Sequence, residues 1–244
     1  MLGIGLSLTG LSVRRGGAAW TPMDMGASLL AWWDASQGLT LSGSQATAWA
    51  DRKNGYSAVQ ATGAAQPTAD GTWLTFDGTD DFLNMESQPF PSGSAGAEIW
   101  AVVQQDSPVA NTTARHVAGY GAAVAAGRRA MVRAVLSGVN RANIQFGDGS
   151  GNVSVSGTAV DLSSRHVLRT RFMPTEGRVS VDGNAESIAA GIPNTGTTRV
   201  TIGGSTSLFG NHWHGKIRDV IVTGPLSTDQ AALLHAFLLP RRAL

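Results

Sequence analysis

The chain has 244 residues, a formal net charge of +1, only 14% charged residues and no cysteine. The missing thiols exclude disulfides, zinc–thiolate sites and a cysteine nucleophile. Near-neutrality without a basic run argues against nucleic acid, whose affinity comes largely from phosphate neutralisation. Its 31 glycines and sparse charge point to strands and turns more than to helices. No stretch is apolar for long enough to span a bilayer.

Taken in order, Leu2, Ile4, Leu6 and Leu8 alternate with Gly3, Gly5, Ser7 and Thr9, a strand pattern with one apolar face. Leu11 and Val13 are further apolar candidates in the same segment. Two readings are open: an edge strand of the domain's own sheet, or an arm over residues 1–25 that anchors and oligomerises by burying its row on another subunit. Arg14 and Arg15 follow the apolar residues instead of preceding them, which predicts a retained segment and not a cleaved signal.

Leu29–Asp34 reads as a buried strand, and Asp51–Gly55 as a polar turn closed by Asn54-Gly55. Residues 61–71 read as a loop. The next segment, 73–83, reads as a strand, an Asp77-Gly78 turn and a return strand. Trp32, Trp33, Trp73 and Trp100 sit inside strand patterns and belong to a core. Glu98–Gln105, Arg129–Leu136, Asn143–Phe146 and Asn152–Ser156 are further short strands, and such regular turn punctuation points to a sandwich. Arg199–Ile202 and Gly215–Val222 follow. In the latter, Ile217 is three residues from Val220 and Val220 two from Val222, so a β-bulge at Arg218–Asp219 is needed to keep all three on one face. Ser227 and Gln230 form a capping box before a helix with the stripe Leu233, Leu234, Phe237 and Leu238, expected to stop at Pro240.

The motifs LAWWDAS, W-x-DRKNGYSAVQ and LTFDGTDDFL, followed by the Val181-Asp182-Gly183 hairpin and the closing strand from His214 to Val222, resemble laminin-G-like, concanavalin A-like jelly-roll domains of bacterial and phage proteins. The resemblance spans roughly residues 28–240. It implies an all-β jelly-roll β-sandwich over residues 26–244 with a short C-terminal helix, while the arm lies outside the pattern.

Glycoside hydrolysis needs two carboxylates at a set separation. Among the four glutamates, Glu86, Glu98, Glu176 and Glu186, none has a same-strand carboxylate two or four residues away, so the expectation is no enzyme. Asp77, Asp80 and Asp81 offer hard oxygens for calcium, although Asp and Gly also simply build turns; no cofactor is expected otherwise. His212 and His214 could work as metal ligands or as a base. With Trp213 and Tyr120 they are the glycan-binding candidates, because exposed aromatic faces stack on sugars.

Together these point to a structural virion component of a tailed phage or phage-like particle, a spike, fibre or decoration subunit, assembled in the host cytoplasm. Its expected partners are other virion proteins, copies of itself in a trimer, and host surface polysaccharide, with neither nucleic acid nor membrane. The alternatives are a free carbohydrate-binding lectin module and, third, a polysaccharide-degrading enzyme.

Overall fold

The computed structural model describes residues 19–86, 90–106, 114–122, 129–137, 139–148, 151–196, 199–205 and 211–243. Leu2, Ile4, Leu6, Leu8, Leu11 and Val13 lie outside them. The first strands are β1 (Leu29–Asp34), β2 (Leu39–Ser42), β3 (Gln45–Ala50), β4 (Ser57–Val59), β5 (Thr68–Ala69), β6 (Leu74–Asp77) and β7 (Leu83–Met85). Then come β8 (Ala97–Gln105), β9 (Arg115–Gly121), β10 (Arg129–Ser137), β11 (Val139–Gly147) and β12 (Asn152–Ala159). The last are β13 (His166–Met173), β14 (Glu176–Val181), β15 (Ser187–Ala190), β16 (Arg199–Ile202) and β17 (His214–Thr223), with the helix α1 (Thr228–Arg241).

The strands pair antiparallel throughout. One layer runs β17–β8–β13–β14–β15, with β1 and β6 sharing the free edge of β17. The other runs β4–β7–β16–β9–β10–β11–β12. Strand β3 pairs with both β4 and β5, and β5 with β6, so the two layers join along one side. The result is the expected all-β jelly-roll-like sandwich. Two details differ from expectation. Strands β6 and β7 are not a hairpin with each other: β6 pairs with β17 and β7 with β16, so the Asp77-Gly78 connection crosses between layers. The helix also runs one residue past Pro240.

Alternation along the strands separates two apolar clusters. Ile99, Ala101 and Val103 of β8 face inward with Leu168 and Phe172 of β13, meeting Val117, Tyr120, Ile144, Phe146, Val200 and Ile202 of the opposite layer. The pairing of β17 with β8 shifts register between Ile217 and Asp219. That bulge keeps Ile217, Val220 and Val222 in the inner core and turns Asp219 and Ile221 outward. Gly203 adopts a φ of 80°. A Cβ there would stand 2.2 Å from the Phe76 ring, so no larger residue fits.

Glu98, Trp100 and Val102, the alternate residues of β8, lie on the outer face. There Trp32, Trp73, Trp100, Val102, Val167 and Ile221 are covered by Ala231, Leu234 and Leu238 of α1. The capping box forms as expected, Ser227 Oγ accepting from Gln230 N. Trp20 and Met25 join this outer cluster, with Trp20 edge-on to Phe237, so the body of the domain begins before residue 26. Arg241 ties the far end of α1 to Asp34 at 2.7 Å and Asp219 at 2.8 Å. Among the described residues no helix is long and apolar enough to cross a membrane.

Candidate functional site

The first half of α1 does not cover the outer face completely. Between it and strands β8, β13 and β14 lies a groove of about 350 Å³, at the small end of ligand-sized cavities. Its apolar side is made by Trp100, Val167, Leu226, Ala231 and Ala232. The polar side carries Arg169, Arg171, Ser180, Asn184, Glu186 and His235. Strand register explains the second set. Arg169 stands opposite Trp100 on one side and Ser180 on the other, and Arg171 opposite Glu98 and Arg178. All of them therefore share the outer face, row by row.

Glu98 has no solvent exposure. A buried carboxylate is tolerable only when paired and hydrogen-bonded. It accepts from Arg169 Nε at 3.0 Å and Nη2 at 3.2 Å, from Trp100 Nε1 at 3.1 Å and from the Leu226 amide at 3.2 Å. The Arg169 guanidinium also lies 4.6 Å over the Trp100 ring, a cation–π contact. Arg171 reaches Glu186 at 3.1 Å and Glu98 at 3.4 Å. Burial works against ionisation of Glu186, yet the Arg178 and Arg171 guanidiniums beside it hold its carboxyl below the usual carboxylate range. The two arginines are thus fixed from beneath and keep further N–H donors toward the groove.

The turn after β14 delivers the remaining wall. Asp182 accepts from the Val167 amide at 2.9 Å and pairs with His166 Nδ1 at 2.7 Å and Arg242 at 2.8 Å. The Asp182 hydrogen bond raises His166 above its ordinary value despite partial burial. Gly183 follows at φ +74°, and a Cβ there would lie 2.6 Å from Cε1 of His235. Glycine lets the turn close against the helix.

The metal and histidine candidates come together at the end of the sandwich, apart from the groove. One oxygen each from Asp77, Asp80 and Asp81 lies within 4.8 Å of the others. Two of these carboxylates, those of Asp77 and Asp81, serve as turn builders. Asp77 Oδ1 accepts from Thr79 N at 2.8 Å, and Asp81 Oδ2 from Asp77 N at 2.9 Å. With one oxygen from each, calcium would need three or more further oxygens, from the same carboxylates, backbone carbonyls or waters. Burial, with the charges of Asp77 and Asp80, pushes Asp81 up to about 6. His214 is paired with Asp77 across β17 and β6, and His212 Nδ1 contacts the Asp81 carbonyl at 3.1 Å. Asp219, the next carboxylate along the chain, lies on the outer face and accepts from Arg241, so it does not join these histidines.

Two aromatic candidates require correction. Trp213 is 0% exposed and Tyr120 1% exposed, both in the inner core, so neither offers a ring face to a sugar. Trp213 points inward between outward-facing neighbours, and Tyr120 packs edge-on to Phe90 and Phe172. The groove residues escape sequence reading, although there are signals. Glu98 interrupts an otherwise apolar strand, which demands buried partners. Arg169 and Arg171 stand two apart on a strand with inward Leu168, Thr170 and Phe172.

No family model matches the chain, and no curated protein matches it. Among solved structures, Trypanosoma rangeli sialidase in complex with sialic acid has a TM-score of 0.58 at 14% identity, covering 86% of this chain and 33% of its own. A GH54 α-L-arabinofuranosidase soaked with a cyclic sulfate inhibitor gives 0.62 at 10% identity, covering 81% of this chain and 51% of its own. The Ruminococcus gnavus IT-sialidase CBM40 bound to α2,3-sialyllactose gives 0.46 at 11% identity, over 64% and 97% of the two chains. The chain thus spans about a third of the sialidase and about half of the arabinofuranosidase. At such identities the likeness is one of fold. The expectation of no enzyme is overturned, because glycosidases are among the chains of matching fold. Its premise also fails physically: searching single strands for paired carboxylates ignores that the fold joins Glu98 and Glu186 through shared arginines.

Proposed function

We propose that the chain binds carbohydrate, holding one or two sugar rings in the groove between α1 and the outer face of β8, β13 and β14. The observation that carries this reading is the division of that groove. One side is apolar and suits the C–H face of a pyranose. The other presents guanidinium donors, the Glu186 carboxylate, the Asn184 amide and the Ser180 hydroxyl, which suit vicinal hydroxyls. Trp100 contributes floor and not a stacking platform, since Arg169 lies over its ring. The fold likeness to chains solved with sugar ligands supports the same reading, and neither it nor the groove lends support to a virion role or a trimer.

The test is a glycan array with the wild-type protein and with Ala232→Trp, incubating positive oligosaccharides with the protein to detect new reducing ends. Ala232 is exposed on the groove wall, away from the buried ion pairs. The tryptophan is expected to abolish binding while leaving the melting temperature within a degree or so. An array without signal, or unchanged binding by the Ala232→Trp protein, overturns the reading. Release of reducing ends would add catalysis to binding.

A further inference from the structure

The turn after β14 has positive φ at both central residues, 51° at Asp182 and 74° at Gly183, and the Asn184 amide donates to the Val181 carbonyl at 2.9 Å. Two such angles are what a type I′ turn requires. Glycine adopts them freely, whereas an aspartate is held there by the hydrogen bonds of its side chain. Asp182 Oδ1 accepts from the Val167 amide. Its Oδ2 lies 2.7 Å from His166 Nδ1 and 2.8 Å from the guanidinium of Arg242, the C-cap of α1. The other ring nitrogen of His166, Nε2, lies 2.9 Å from the Asp161 carbonyl. A carbonyl and an ionised carboxylate only accept, so both ring nitrogens must donate and the ring is an imidazolium.

We propose that His166 is a pH-sensitive clasp on the rim of the groove. As an imidazolium it joins three segments: the loop before β13 through Asp161, the turn after β14 through Asp182, and the end of α1 through the Asp182–Arg242 pair. As a neutral ring it keeps one N–H and must release one of its two acceptors. The bond to the carboxylate is the stronger, so the Asp161 carbonyl goes first and the Asp182 bond loses its charge assistance. Gly183 and Asn184 line the groove. The clasp thereby ties the firmness of that wall to pH.

The groups around the ring favour the charged form. The hydrogen bond to Asp182 raises His166 above its ordinary value; partial burial opposes the rise, the Asp161 carbonyl adds to it, and the Arg242 charge subtracts from it. The exposed Asp161 carboxylate attracts the ring from the preceding loop. On the other side β8 brings Val103, which carries no charge, opposite His166. Arg165 is turned to Gln104 and to the Arg242 carbonyl. Burial holds His235 of α1 below its ordinary value despite the pull of Asp182, so it is neutral while His166 titrates. Burial also works against ionisation of Asp182, yet its bonds from His166 and the Val167 amide hold its carboxyl below the usual range. Because the folded value of His166 is the raised one, the clasp is fully made below about pH 6.5 and is lost as pH rises through that folded value.

No ligand is needed to test this, so the outcome is independent of the carbohydrate reading. The Cε1 proton of His166 is followed by NMR from about pH 5 to about pH 9 in wild type and Asp182→Asn. Protection of the Val167 and Asn184 amides against hydrogen exchange is measured over the same range, with His166→Gln as a third protein. The wild-type His166 midpoint is expected above 6.5. Asp182→Asn keeps an acceptor for the Val167 amide and tolerates positive φ, and is expected to move that midpoint down. Protection of both amides is expected to fall roughly tenfold as wild-type His166 loses its proton, and to stay level in His166→Gln. A wild-type midpoint at or below 6.5, a midpoint that Asp182→Asn leaves in place, or protection that is unchanged across the titration overturns the clasp.

Discussion

Glu98 is the residue on which the groove's geometry hangs, and Glu98→Ala is the sharpest perturbation of it. The substitution removes a fully buried carboxylate and strands the Trp100 indole N–H and the Leu226 amide, both in the outer cluster. It also leaves Arg169 with only Glu186, at 3.7 Å. Removing one member of a buried ion pair costs about 3–5 kcal/mol. Here the guanidiniums of Arg169 and Arg171 are 18% and 20% exposed and keep some water. Solvent screening places the expected loss toward the lower end. At about 2–4 °C per kcal/mol for a chain of this size, the melting temperature falls by roughly 6–15 °C. Thermal and urea unfolding measure it, and the double-mutant cycle with Arg169→Ala isolates the pair, with an expected coupling of about 1–3 kcal/mol. A change within about 0.5 kcal/mol, as for an exposed surface site, would refute the account of Glu98 as the anchor beneath the groove.

Tyr120 buries a hydroxyl with no hydrogen-bond partner among the described residues, and burial raises its ionisation well above the ordinary phenol range. Tyr120→Phe is accordingly expected to be neutral or stabilising by up to about 1–3 kcal/mol in urea unfolding; a loss of more than about 1 kcal/mol would mean the hydroxyl is satisfied. Asp81, raised to about 6 from 3.8, binds its proton more tightly in the folded state. Stability therefore grows as pH falls from about 6 toward 3.8, and the ionised carboxylate is a burden at neutral pH. Asp81→Asn keeps an acceptor for the Asp77 amide and is expected to raise the melting temperature at neutral pH while erasing the acid-side gain. A carboxyl carbon titrating near the ordinary aspartate value by NMR contradicts this, and calcium that pulls the titration downward would make the turn a cation site.

Several features were legible along the chain because they depend on residues a few positions apart. Short apolar runs mark β1 and β8, the broken phase of Ile217, Val220 and Val222 marks the bulge in β17, and Ser227 with Gln230 marks the start of α1. The same rule accounts for Trp213, which was expected among the glycan-binding residues and is buried. Between His212 and His214 on an extended segment, a residue faces opposite to its neighbours, and the inward side is the apolar core.

The groove belongs to the other category. Glu98 and Arg169 are 71 residues apart, and His235 meets Gly183 only because α1 returns across the sheet. Side-chain alternation tells which residues share a face of one strand, whereas strand order and register tell which strands lie beside it. Sequence alone therefore determined a sandwich of alternating strands closed by a capped helix. The pairing of β8 with β13 and of β13 with β14 decided that a buried glutamate, two arginines and an unpartnered imidazole would surround one cavity. Hydrogen bonds between distant strands set that arrangement, and no local window of residues encodes them.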